Sequence, residues 1–190
     1  MPIDNNFSSN IIDHLYYFNN VTAEISKEFY INLNCNIIQY KRFREVLQNI
    51  LKNKKIKGII FNPNFFDDHE IKYITNANLS ERNLDIICNS DEFYLEALKN
   101  NNSIISKYIN VFSEYFLDIH DHYYNKQLTE AINLQENLNN KILKLSRYGD
   151  LQSIKYLFKL GKFDLGGVRN IYYQLNEEEK SKLKNNYFQS

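Results

Sequence analysis

Lys57-Gly58-Ile59-Ile60-Phe61-Asn62 is a short apolar run between the basic segment 52–55 and the loop 63–66. Its composition and periodicity make it a buried strand. Upstream, Phe43, Val46, Leu47, Ile50 and Leu51 recur at helical spacing, which predicts a helix over about 39–52. The basic stretch 49–57 sits where that helix ends, and cations there suit the helix dipole better than they suit a phosphate site. Before it, residues 28–33 (EFYINL) read as a strand. Ser8, Ser9 and Asn10 are N-cap candidates for a first helix over about 9–25, with Ile11, Leu15, Phe18 and Val21 on one stripe.

Downstream the alternation continues. Asp67 and Asp68 open a helix containing Ile71, Tyr73 and Ile74, since acidic residues favour the first turn. Residues 84–88 (LDIIC) are a third strand. Asn89-Ser90-Asp91-Glu92 leads into a helix with Phe93, Leu95, Ala97 and Leu98, and 103–106 is a short fourth strand. Strand and helix alternating with short links demand parallel strands joined by right-handed crossovers. From Phe112 the strands stop. One helical stripe comprises Phe112, Tyr115, Phe116, Ile119 and Tyr123. A second comprises Leu128, Ala131, Ile132, Leu138, Ile142 and Leu145. Leu151, Ile154, Leu157 and Phe158 form a third, ended near Gly161, and a last surface helix starts at Asn176. The chain thus divides into β/α units over 1–111 and a helical extension over 112–190.

The 190 residues, 43% hydrophobic and 15% aromatic, describe a packed globular chain. Lys plus Arg and Asp plus Glu number 23 each, so no overall field points to nucleic acid, a membrane surface or acidic substrates. Cys35 and Cys88 form no CxxC pair, which fits a reducing compartment with Cys88 as a small core residue. The N-terminus lacks the basic and apolar regions of a signal peptide, and no run of 18 apolar residues occurs. The expected location is cytoplasmic.

Four blocks carry a resemblance: 57–62, Asn89-Ser90-Asp91-Glu92, 104–111 (IISKYINV) and Phe163-Asp164-Leu165-Gly166-Gly167-Val168-Arg169. In order and spacing they resemble the pyruvate-dependent class I aldolases that include N-acetylneuraminate lyase and dihydrodipicolinate synthase. The Asp-Glu pair and the glycine-arginine loop lean towards the sialic-acid lyase branch. The resemblance implies a TIM barrel, for which about 250 residues is typical. Here it covers only about strands five to eight of the (β/α)8 barrel, with the C-terminal helical extension.

That chemistry needs a lysine amine to form a Schiff base with pyruvate. In the family the lysine follows a Gly-[Val/Ile] pair on strand six; after Gly58-Ile59 this chain has Ile60, which carries no nucleophile. Lys57 lies three residues earlier, so strand alternation points it to the opposite face. The family's proton-shuttling tyrosine falls on Ile31. Tyr30 is one residue off, and a one-residue slip reverses the face unless a bulge intervenes. The family's threonine becomes Asn62, its glycine of strand seven Asn89, and its serine of strand eight Lys107. Asp91 and Glu92 match the acidic pair that contacts sugar hydroxyls; equally, they open a helix. Lys107 is the one new amine near the implied pocket.

Asp118-Ile119-His120-Asp121-His122 invites a metal reading, but residues two apart on a helix point about 200° apart. His120 and His122 therefore cannot share an ion, although Asp118 and His122 can pair. No metal or cofactor is implied. The expected protein is a degenerate aldolase relative that self-associates or docks on a partner completing the barrel. Its alternatives are an active carbon–carbon lyase using Lys107 or a partner chain's lysine, and a partial gene product.

Overall fold

The structure, a computed structural model, describes residues 18–33, 43–75, 83–169 and 173–188. Expectations at Ile11, Leu15, Cys35 and residues 39–42 lie outside the described residues. The chain divides into two compact units, Met1–Ile105 and Ser106–Ser190, so residues 106–111 group with the second.

The first unit is α/β. Its strands β1 (Phe29–Asn32), β2 (Ile56–Phe61), β3 (Asp85–Cys88) and β4 (Ser103–Ile104) form one sheet in the order β1-β2-β3-β4, every pair parallel. Parallel neighbours need crossovers. These carry α2 (Phe43–Leu51), α3 (Asp68–Thr75) and α4 (Tyr94–Lys99), while residues 18–23 form the described part of α1. The five apolar residues of α2 at the i, i+3, i+4, i+7 and i+8 positions are all buried, the pattern of a helix laid on a sheet. They pack with Ile31, Leu33, Ile59, Phe61, Ile86 and Cys88 in one core. At α3 the expected acidic start is a reciprocal cap: Asp67 Oδ1 accepts the Glu70 N–H at 2.8 Å, and Glu70 Oε2 accepts the Asp67 N–H at 3.1 Å.

The second unit is helical: α5 (Ser113–Tyr124), α6 (Leu128–Ser146), α7 (Asp150–Leu160) and α8 (Glu177–Phe188). Its core comprises Phe112, Phe116, Ile119, Ala131, Leu138, Ile142, Leu145, Leu157 and Leu183. Two expected stripes are narrower than the sequence suggests. Leu128, Ile132 and Leu151 are exposed, because a helix presents only part of its apolar arc to its neighbours. In compensation, Ser153 is fully buried, its hydroxyl donating to the Leu145 carbonyl at 3.0 Å. The last helix repeats the reciprocal cap through Asn176 and Glu179, at 2.9 Å in each direction, and is not purely a surface element, since Leu183 is fully buried. No described helix is long and apolar enough to cross a membrane.

Candidate functional site

Residues partnered across parallel strands project to the same side of a sheet. Ile31 and Ile59 are partners, as are Ile59 and Ile86, and this row faces the helices. The opposite face therefore carries Tyr30, Gly58 and Asp85 in one row and Asn32, Ile60, Ile87 and Ser103 in the next. Ile59 is fully buried, whereas its neighbour Ile60 is half-buried. Lys57 is exposed and lies one step from Gly58, on the side away from Ile60. Among the described residues of these two rows, none is an amine.

Here the register corrects the expectation for β1. The pairing is irregular between Phe29 and Tyr30, with Phe29 opposite Ile56 and Tyr30 opposite Gly58. That irregularity turns Tyr30 onto the face that carries Ile60 and leaves Ile31 in the helix-side core. Tyr30 donates its hydroxyl hydrogen to Asp85 Oδ2 at 2.6 Å. Its ring crosses Gly58 so closely that a Cβ there would lie 2.7 Å from Tyr30 Cε1 and collide with the Asp85 carbonyl oxygen. The hydrogen bond to Asp85 pushes the phenol above its ordinary pKa, with burial and the negative charges of Asp85 and Glu28 acting in the same direction. On the same face Asn32 Oδ1 is buried, with no hydrogen-bond partner among the described residues.

At the carboxyl ends of β2 and β3, Asn62 Oδ1 accepts the Asn64 N–H at 3.0 Å, and Asn64 Nδ2 reaches Glu92 Oε2 at 3.4 Å. The Asn89 N–H donates to the Phe61 carbonyl at 2.7 Å, which extends the β2–β3 ladder. Asp91 and Glu92 open the 3-10 turn Asp91–Phe93; Asp91 is buried and Glu92 exposed. The structure thus brings Asn62, Asn64 and Glu92 together at one end of the sheet. Burial raises the Cys88 thiol to about 11, outweighing its weak bond to the Ser90 carbonyl, so it is not a nucleophile at neutral pH.

Lys107 lies in the second unit, where its Nζ meets Asp150 Oδ2 at 2.9 Å. The Tyr108 hydroxyl donates to the other oxygen of Asp150 at 2.7 Å. Burial raises the Asp150 carboxyl, but the bonds from Tyr108 and Lys107 outweigh it and hold the group below the usual carboxylate range. The ion pair engages the Lys107 amine, the group a Schiff base would have to use.

The Phe163–Arg169 loop is held by lysines: Lys155 Nζ donates to the carbonyls of Leu165 and Gly167 at 3.2 and 2.9 Å, and Lys159 pairs with Asp164 at 3.2 Å. A cavity of about 500 Å³ opens beside it, lined among others by Lys155, Lys159, Lys180 and Glu177. Those three cations are engaged by loop carbonyls, Asp164 and Glu177. His122 Nδ1 meets Gln127 Oε1 at 2.7 Å and not Asp118, while His120 Nδ1 meets Asp121 at 3.1 Å. Among the described residues no group of three His, Cys, Asp or Glu is placed to hold a metal.

Sequence reasoning missed Asp85 and Asp150. The first lies opposite Gly58 in the regular β2–β3 register, a cross-strand pairing that no local pattern shows. The second is 42 residues from Tyr108, beyond any local pattern.

No protein-family model matches the chain, and no curated protein matches it in sequence. Its fold is that of several solved structures. A crystal structure of N-acetylneuraminate lyase from Mycoplasma synoviae superposes with a TM-score of 0.81 at 17% identity, covering 100% of this chain and 62% of that one. The N-acetylneuraminate lyase of Fusobacterium nucleatum gives 0.77 at 18%, covering 97% and 62%. Dihydrodipicolinate synthase from Bacteroides thetaiotaomicron gives 0.79 at 13%, covering 98% and 64%. The chain therefore spans about three-fifths of the length of these structures, a coverage consistent with a C-terminal portion of their fold.

Proposed function

We propose that this chain is a relative of the pyruvate aldolases, carrying four strands of their barrel, that does not perform Schiff-base chemistry and acts as an association module. In this reading β1 to β4 are strands five to eight of an eight-stranded barrel. The observation that carries it is Ile60. The position after Gly58-Ile59 lies on the face away from the helices, where barrel chemistry is done, and a hydrocarbon occupies it. An alkyl group cannot condense with a ketone. Lys57 points away from this face, and Lys107 is ion-paired with Asp150.

The half-buried Ile60 and Ile87, the exposed Ile105 and the two sheet edges seen among the described residues support association, because apolar faces and unpaired edges drive it. The competing reading is an active carbon–carbon lyase using Lys107 or a lysine from a partner chain. It draws on one observation, that the Tyr30 phenol shares the face of Ile60. Borohydride reduction in the presence of labelled pyruvate separates the two. No label on any lysine is the expected result. A stoichiometric adduct on one lysine, located by peptide mapping, overturns the non-catalytic reading.

A further inference from the structure

We infer that the cavity between α7, the loop 163–168 and the start of α8 is a binding site for a small monocarboxylate with an apolar body. The site lies wholly within the second unit and is independent of how the sheet is read. Its volume, about 500 Å³, falls among small-molecule sites, which run from roughly 300 to 1,000 Å³. The loop that walls it is tethered at several points and does not fold into the space. Lys155 Nζ donates to the Leu165 and Gly167 carbonyls, the Gly166 N–H donates to Asp164 Oδ1 at 2.8 Å, and Gln174 Nε2 donates to the Val168 carbonyl at 2.9 Å. A wall fixed before the ligand arrives lowers the ordering cost of binding. Gly167 points the same way. Its backbone is not left-handed, unlike that of Gly166 at φ 70°, and a Cβ built on it meets nothing within 4 Å. Neither conformation nor packing requires a glycine at 167; its missing side chain leaves the cavity open.

The charges lining the cavity select the ligand. Lys155, Lys159 and Lys180 line it together with Asp164 and Glu177, three cations against two anions, which leaves one net positive charge. Lys159 pairs with Asp164 at 3.2 Å and Lys180 with Glu177 at 2.6 Å. Lys155 instead meets carbonyl oxygens at 3.2 and 2.9 Å. An ammonium has three N–H donors, and carbonyls carry no charge to neutralise it. Asp164 feels the Lys155 charge, but that carboxylate is already held first by the Gly166 N–H and then by Lys159. One carboxylate on the ligand therefore balances the site, whereas a phosphate dianion would overshoot it and be repelled by Asp164 and Glu177. Lys155 is half-buried, so salt screens it less than it screens an exposed lysine. Tyr156, Val168 and Leu175 complete the lining with surface for a ring or hydrocarbon and not for a second charge.

The test uses the full chain, isotope-labelled for amide NMR, with benzoate as the probe and benzamide as its uncharged counterpart. Benzoate should bind saturably, with a Kd on the order of 1 mM for so small a ligand, and shift the amides of Gly166 and Gly167. Benzamide has nearly the same shape and should bind about tenfold more weakly or worse, and inorganic phosphate should not displace benzoate. Lys155→Met should weaken benzoate about tenfold, while Lys144→Met, outside the lining, should not. Gly167→Phe puts a ring into the cavity with Lys155 still in place, and should abolish binding with the circular dichroism of the parent. The inference is overturned by no saturable binding, by equal affinity for benzamide, by displacement with phosphate, or by amide shifts confined to other parts of the chain. Undiminished benzoate affinity in a folded Gly167→Phe protein overturns it too, as does an equal loss in Lys144→Met and Lys155→Met. Should Gly167→Phe fail to fold, Lys155→Met and the benzamide comparison in the parent decide, and undiminished affinity in either is equally fatal.

Discussion

Tyr30 and Asp85, 55 residues apart in sequence, meet at 2.6 Å across the gap left by Gly58. The phenol spans β2 because the glycine between the two strands has no side chain to block it. Gly58 is therefore required by its neighbours, and Gly58→Ala is a direct test. The new Cβ would lie 2.7 Å from Tyr30 Cε1 and would strike the main-chain oxygen of Asp85. A ring can swing aside, but a carbonyl within a paired ladder cannot. We expect Gly58→Ala to cost about 2 kcal/mol in chemical denaturation, within the range for overpacking a filled site. Adding Tyr30→Ala should recover less than half of that, because the clash with Asp85 persists. A fully restored midpoint would place the strain in the ring alone.

The same pair predicts a titration. The hydrogen bond to Asp85 holds the Tyr30 phenol above its ordinary value, so the folded state keeps its proton more tightly than the unfolded chain does. The stabilisation is present below pH 10 and is lost as pH rises through the folded pKa. Asp85→Asn removes the negative acceptor, so the ultraviolet absorbance change of one tyrosine should move towards lower pH. A titration curve that superposes on that of the parent protein would show the bond to be unformed in solution.

Much of this sheet was legible in the sequence. The spacing of Phe43, Val46, Leu47, Ile50 and Leu51 specifies the buried side of α2 because a helix has one period and one face. Gly58 to Phe61 is legible for a similar reason, since a bounded apolar run has few other homes. The facing of Tyr30 was not legible. Strand alternation is a local rule, and the irregular step between Phe29 and Tyr30 depends on where β2 offers its hydrogen bonds, which no local pattern encodes. Asp150 was hidden differently. Its partners Lys107 and Tyr108 come from a turn more than 40 residues earlier, and nothing in Gly149-Asp150-Leu151 distinguishes a helix-opening aspartate from one that ties two segments together.

That tie predicts acid sensitivity in the second unit. Bonds from Tyr108 and Lys107 overcome the effect of burial and depress the Asp150 carboxyl, so its stabilisation is present above the ordinary carboxylate pKa of about 4. It is lost as pH falls through the still lower folded value. The pair is partly exposed, which reduces its strength by solvent screening. Asp150→Asn should therefore cost roughly 1 kcal/mol at neutral pH. The difference between parent and variant should shrink towards pH 3. An equal difference at pH 7 and pH 3, read from urea midpoints, would assign the effect to packing.

Cys88 offers a probe of the first unit. Burial raises its thiol to about 11, so at pH 8 roughly one molecule in a thousand carries the reactive thiolate. In a Cys35→Ser background, an aromatic disulfide reagent should label Cys88 only as fast as the sheet opens, and labelling should accelerate sharply near the urea midpoint. Stoichiometric labelling within seconds in buffer alone would place the thiol outside the core.

Ile60→Lys is the sharpest test of the proposal that this sheet forms no imines. Restoring the amine restores one group and leaves its surroundings unchanged. A Schiff-base lysine needs its neutral form, which apolar surroundings or a neighbouring cation favour, whereas the face around residue 60 is half open. The nearest phenol in the register is committed to Asp85 at 2.6 Å, leaving its proton unavailable for relay to a carbinolamine. We therefore expect the variant lysine to titrate near its ordinary value of about 10.4, to trap pyruvate with borohydride only in traces, and to cleave no N-acetylneuraminate. Efficient pyruvate trapping at pH 7, carried by residue 60 and abolished by Tyr30→Phe, would show that the face needed only its amine. The proposed lack of imine chemistry would then rest on a single substitution.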